Sequence, residues 1–322
     1  MEKGTTKILD WRTVSVEKIF IVMQKYTYFF LLFFIVCTGK NTVVGAGKKK
    51  LEIEKSPFGV VSVYDLDGKR YISIGEQEQS AVNLTNKREW VYSYMYLLSL
   101  GVLAHERLDG QVPQQVLLIG LGGGSFADFL AEVFPLWQIT VVELNPAVIR
   151  LAKKYFPLSE KIRIVEGDGR VYLKNTHSQY DVIVMDAFGE HFIPPELYTV
   201  EYFRLLKSRV LPQGLVLVNT WEGTPFEMAE VQTLRSVFRT GYYIHHIDET
   251  PSNRIYVLGD ALPRRKNLQE KIKREFYERH FTGGNPTRFL QSMVDLSTVR
   301  TNARVITDRS VRTLFIKRQA VD

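Results

Sequence analysis

The chain has 322 residues, 45% of them hydrophobic and 24% charged, which suits a large buried core and excludes a disordered chain. The formal charge is +7, and residues 1–46 hold six Lys/Arg against three Asp/Glu, so the rest is only mildly basic; with no basic helix and no Lys/Arg-aromatic stripe, no nucleic-acid partner is expected. Cys37 is the sole cysteine, and the six histidines lack HExxH or paired-ligand spacing, which excludes a disulfide framework and leaves no metal site to expect.

The run Tyr26–Cys37, YTYFFLLFFIVC, is too short to cross a bilayer by itself and has the length of a signal-peptide core. A short basic lead (Met23–Lys25) precedes it, and a polar stretch ending in VVGA at Ala46 follows. Residues 1–46 are therefore read as a leader, with 19–46 exporting the protein or associating it with a membrane. The alternative is a cytoplasmic chain whose apolar helix packs against the domain. Cys37 lacks the small preceding residue of a lipidation box.

Residues 51–105 form a first unit. Alternating apolar positions flank DLDGK (residues 65–69), a hairpin signal, so a small antiparallel sheet is expected. Residues 88–104 have apolar spacing suited to a helix lying against a core.

Residues 113–322 form a second unit. Short aliphatic runs at Val116–Gly120, Ile139–Leu144, Ile162–Gly167, Tyr180–Asp186 and Leu215–Thr220 predict strands. Helices are predicted near Phe126–Val133, Pro146–Tyr155, Gly169–Asn175 and Leu197–Val210. Continuous aliphatic strands mean that both sheet faces are covered, so the sheet is parallel and doubly wound. YYIHHID and RIYVLG, separated by ETPSN, read as an antiparallel pair closing it. The expected fold class is α/β: a Rossmann-like sheet of the S-adenosylmethionine-dependent methyltransferase type with a reversed edge strand, preceded by the small antiparallel sheet.

Ligands of such sheets lie beyond the carboxyl ends of the strands, so the last residue of each strand is the one to weigh. Gly120, Gly122 and Gly124 lie in the turn after the first strand, and the following helix could offer its N–H groups to a ligand. No Walker lysine follows. Glu143 ends the second strand, where a carboxylate suits a ribose diol or the first turn of the helix at Asn145-Pro146. Asp168 and Gly169 follow the third strand; Asp168 suits an exocyclic amine or a helix cap. Asp186 ends the fourth, exposed as a general base or an amine ligand would be, or as a turn aspartate. Three acids at consecutive strand tips suit an adenosyl ligand with a cationic tail.

From about Leu51 to Leu314 the sequence resembles the spermidine/spermine synthase (aminopropyltransferase) family, in its divergent bacterial branch. EWVYSYM, the glycine turn, VVELNPAVIRLAKKYFP, IRIVEGDGRVYL and YDVIVMDAF carry the likeness. The resemblance implies decarboxylated S-adenosylmethionine as co-substrate, an amine acceptor and a homodimer. It puts the ribose acid on Glu143, the adenine-side acid on Asp168 and the catalytic acid on Asp186. Substrate-side contacts fall on Gln79 and Tyr92.

Three family positions differ. Gly123 stands where the glycine turn usually has an aspartate, Gly189 where the loop after the fourth strand has a second one, and Tyr92-Ser93-Tyr94 where the helix reads Tyr-(His/Gln)-Glu. An ammonium buried without a partner costs several kcal/mol, so these changes bear on acceptor binding. Glu190, Glu196 and Glu222 are candidate replacements; His191 is read as a solvated loop residue and Asp308 as a cap. Three readings follow: an aminopropyltransferase, a methyltransferase using S-adenosylmethionine itself, and a non-catalytic adenosyl-binding envelope protein.

Overall fold

The computed structural model describes residues 47–106, 108, 112–189, 194–245, 253–279, 281 and 284–311. The leader expected over residues 1–46, Glu190 and His191 lie outside them. Among the described residues no helix is long and apolar enough to cross a membrane.

Four strands pair antiparallel in chain order: β1 (Lys49–Ser56), β2 (Gly59–Leu66), β3 (Lys69–Ile74) and β4 (Gln77–Asn83). The β2–β3 turn falls on Asp67-Gly68, both left-handed (φ 49° and 71°), the geometry that a two-residue hairpin loop demands. Val61, Val63, Ile72, Ile74 and Val82 turn inward to the main core. Helix α1 (Ser93–Val102) follows. It starts later than the apolar spacing suggests: Asn86 takes the N–H of Arg88 on its Oδ1 and that of Glu89 on its carbonyl, which folds residues 86–89 into a turn. Met95 through Val102 are all buried, since α1 is wedged between the large sheet and the helix α7 (Arg265–Glu278).

The large sheet has eight strands in the order β12-β10-β11-β9-β8-β5-β6-β7. Strands β5 (Gln115–Ile119), β6 (Gln138–Glu143), β7 (Arg163–Glu166), β8 (Tyr180–Met185) and β9 (Val210–Trp221) run parallel. Strand β11 (Asn253–Gly259) is antiparallel to β9, and β10 (Thr240–His245) and β12 (Val294–Asp295) complete the sheet. Two strands are thus reversed against the parallel set: β11, between β10 and β9, and the two-residue β12 at the edge, antiparallel to β10.

Helices α2 (Ser125–Val133), α3 (Pro146–Tyr155), α4 (Gly169–Asn175), α5 (Val200–Ser208) and α6 (Glu227–Arg235) cover the faces. Odd and even strand positions feed two cores. Leu118, Val141, Val184 and Leu217 face one way with α1, α2 and α3; Leu117, Val142, Ile183 and Val216 face the other with α5 and α6. Burial on both sides is why these strands read as unbroken aliphatic runs. Replacing a core leucine such as Leu117 by alanine would cost about 2–5 kcal/mol.

After β11 come α7, α8 (Pro286–Gln291) and β12, where the sequence suggested no element. Asp308 is not the cap it was expected to be. Its carboxylate takes both Arg170 Nη groups, and Thr307 Oγ1 accepts the N–H of Ser310 instead.

Candidate active site

The turn from β5 to α2 lies against the end of β8. Gly120 has φ 101°, and a Cβ there would lie 2.2 Å from the Asp186 carbonyl oxygen, so no other residue fits. Gly122 and Gly124 continue the left-handed turn, with φ 52° and 77°. Gly122 also lets β4 approach: a Cβ would meet the Ser80 Cβ at 3.0 Å. Gly169 opens α4 against Ile119, whose Cγ2 would sit 2.5 Å from an added Cβ.

Glu143 faces this turn. Its Oε2 accepts the N–H of Leu121 and its Oε1 that of Asn145, both at 2.8 Å. Burial holds its carboxyl above the usual range, against the pull of those N–H donors. The helix cap at this point is Asn145, whose Oδ1 accepts from Ala147 with Pro146 in the first turn. Asp168 does cap a helix: its Oδ1 accepts the N–H of Val171 at 2.7 Å. The side chain is exposed, and its strand tip is tied to the previous one by the Gly167 N–H donating to the Glu143 carbonyl at 2.9 Å.

Asp186 follows β8 directly, its N–H donating to the Ile119 carbonyl at 2.9 Å. The carboxylate is half-buried. Burial pushes its pKa up to about 7, while a hydrogen bond from Asn219 Nδ2 at 2.7 Å pulls it down. Asn219 in turn accepts from Asn253 Nδ2 at 2.9 Å. The Tyr94 hydroxyl from α1 feels the Asp186 charge, which with burial holds it far above the usual phenol range. On the loop after β8, Phe188 packs against Trp221 at 5.5 Å between ring centroids.

The small sheet reaches the same place. Gln79 Nε2 makes a long contact, 3.4 Å, to the carbonyl of Gly189, three residues past Asp186. Tyr92 stacks on Tyr94 with ring centroids 6.1 Å apart, and its hydroxyl donates to Glu78 Oε2 at 2.5 Å; Tyr64 donates to the other oxygen. Gln79, Tyr92, Gly120, Gly122 and Asp186 therefore share one end of the sheet with Glu143.

The differing family positions have physical counterparts. A Cβ on Gly123 would meet the Phe156 ring at 2.6 Å, so an aspartate there needs that ring to move. Glu222 is committed elsewhere, with the Arg254 guanidinium and His245 Nδ1 each 3.0 Å from its Oε1. Glu196 is exposed and uses its backbone carbonyl to hold Arg170. Glu78, Asn219 and Asn253 also belong to this end of the sheet, though none is an acid ending a strand. A polar residue at the tip of an aliphatic strand, as in VLVNTW, is the signal that would have found Asn219.

The family model described as Spermine/spermidine synthase domain matches residues 95–257. The chain is 29% identical over 261 residues to a polyamine aminopropyltransferase of Vibrio vulnificus, a match covering 76% of this chain and 83% of that protein. Its fold is similar to that of a probable spermidine synthase from Corynebacterium glutamicum, with TM-score 0.65 and 21% identity over 80% of this chain and 96% of the other. It is also similar to a spermidine synthase in complex with the transition state analogue AdoDATO, with TM-score 0.62 and 16% identity over 76% and 84% of the two chains.

Proposed function

This chain belongs to the spermine/spermidine synthase family, and from that premise we propose that it transfers an aminopropyl group from decarboxylated S-adenosylmethionine to an amine acceptor. A primary amine attacks the carbon next to the sulfonium. The C–N bond forms as the C–S bond breaks, methylthioadenosine leaves with the bonding pair, and the amine proton passes to Asp186. The analogue held by the structural neighbour suits such a co-substrate.

The single observation that carries this is Asp186 itself. A half-buried carboxylate with its pKa near 7 lies at a strand tip, between the glycine turn and the loop that Gln79 touches. A base with a pKa near the working pH is most effective. Glu143 grips the turn through both oxygens, and its remaining acceptor capacity suits ribose hydroxyls. Asp168 Oδ2 suits the adenine amine, since Oδ1 is taken by its cap. The protein's main contribution is in-line placement of amine and sulfonium, with deprotonation second.

The test is incubation of the full chain with decarboxylated S-adenosylmethionine and a panel of primary mono- and diamines. Methylthioadenosine should form, and Asp186→Asn should lower the rate by about 10²–10⁴ while nucleoside affinity stays within a few-fold. Release of S-adenosylhomocysteine from S-adenosylmethionine in place of methylthioadenosine would overturn the assignment.

A further inference from the structure

Asp186 is the end of a chain of three side chains drawn from three neighbouring strands. Asn219 on β9 donates to its Oδ1 at 2.7 Å, and Asn253, at the start of the reversed strand β11, donates to Asn219 Oδ1 at 2.9 Å. Asn219 is 1% exposed and directly follows the aliphatic run Leu215–Val218 of its strand. A buried amide is costly unless both its ends are bonded, and here both are. Its backbone is pinned as well, the carbonyl accepting the Tyr198 hydroxyl at 3.0 Å.

The direction of the chain is also fixed. Rotating the Asn219 amide by half a turn would set its oxygen against the Asp186 carboxylate and its NH₂ against that of Asn253. The acceptor-only carboxylate of Asp186 therefore sets which face Asn219 turns to it, and Asn253 holds that face in place by satisfying the Asn219 oxygen. The register brings them together: Asn253 pairs with Trp221 and Ile255 with Asn219, across a β9–β11 ladder that exists only because β11 is inserted and reversed.

We propose that Asn219, held in place by Asn253, is a positioning residue for the base: it holds Asp186 Oδ1 and leaves Oδ2 to take the proton. The hydrogen bond favours the ionised carboxylate and so opposes the effect of burial. The titratable group facing Asp186 from the packed helix is the Tyr94 hydroxyl, which stays protonated throughout the working range. The inference rests on aminopropyl transfer only in its kinetic arm.

Two readouts test it. In the first, the carboxyl of Asp186 is titrated by ¹³C NMR, its resonance identified by its loss in Asp186→Asn. Asn219→Ala should raise the midpoint by about one pH unit, and Asn253→Ala should raise it in the same direction by less. In the second, the acid limb of kcat/KM should move upward with the midpoint while affinity for methylthioadenosine is kept. Asn253 is half-buried and begins its strand, so its variant serves if Asn219→Ala does not fold. An unmoved midpoint in folded variants overturns the proposal. A moved midpoint in a protein that turns over no amine sustains it and sinks the proposed reaction instead.

Discussion

Glu143 holds the glycine turn from the neighbouring strand: its Oε2 accepts the N–H of Leu121 at 2.8 Å while its Oε1 accepts that of Asn145. The same carboxylate therefore shapes the turn and stands ready for a nucleoside. Glu143→Ala should cost about 1–3 kcal/mol, because two N–H groups lose their acceptor. Glu143→Gln keeps one acceptor oxygen and should cost less, yet should lose nucleoside affinity comparably. Thermal unfolding and calorimetry with methylthioadenosine separate the two effects. Equal stability of both variants and the parent would show that the turn holds itself.

Asp186 predicts two pH dependences of opposite benefit. Its ionised form is the base, so kcat/KM should rise through a midpoint near pH 7 and level off above it. Its folded pKa, about 7, lies above the ordinary 3.8, so the folded state binds the proton more tightly than the unfolded one. The carboxyl therefore costs almost nothing below about pH 3 and destabilises increasingly as pH climbs from about 3 to about 7. Asp186→Asn should be the more stable protein at pH 8, on the order of 1–2 kcal/mol after allowance for solvent access, and indistinguishable near pH 3. Tm measured across that range checks it. A gap that narrows as pH rises would contradict the sign.

Much of the frame was legible because burial writes itself into sequence. Strands covered on both faces appear as the aliphatic runs of β5, β6, β8 and β9, and Asp67-Gly68 announces its hairpin. Asp186 and Glu143 were visible as acids ending such runs. What was not legible depends on pairing between distant segments. Asn219 meets Asn253 through the β9–β11 pairing, and Glu78, beside the register shift of the β3–β4 ladder, meets Tyr92 from across the chain. The antiparallel β10–β11 pair was legible, but that β11 rather than β10 lies beside β9, and that β12 forms the reversed edge, was not, since a hairpin's sequence does not say which arm joins the sheet.

Gly123 separates a missing function from a missing space. An aspartate at this position carries a Cβ into the Phe156 ring, 2.6 Å away. Gly123→Asp should therefore lower stability by about 1–3 kcal/mol rather than raise turnover. Phe156→Leu in the same chain should recover part of the loss by opening the space. Denaturant unfolding of the single and double variants measures the coupling, and strict additivity would show that the ring is not the obstacle.

Arg254 offers the sharpest test of the fold around the reversed strand. Its side chain is 5% exposed, reaches Glu222 at 3.0 Å and Glu227 at 2.9 Å, and lies over the Tyr243 ring at 4.2 Å. Glu230, buried on α6, is pushed up to about 7 by burial, and the Arg254 charge pulls it back down. Arg254→Leu leaves three carboxylates without their cation, so the loss should be about 3–5 kcal/mol. Arg254→Lys keeps the charge but not the two-armed geometry and should cost less. The sign with pH follows from Glu230. Its folded pKa is already above the ordinary 4.5 and rises further without the cation. The penalty of Arg254→Leu should therefore be smaller at pH 5, where Glu230 is protonated, and grow towards pH 8. Urea unfolding at both values decides it. A penalty equal at the two would mean that Arg254 acts through packing on Tyr243 and not through charge.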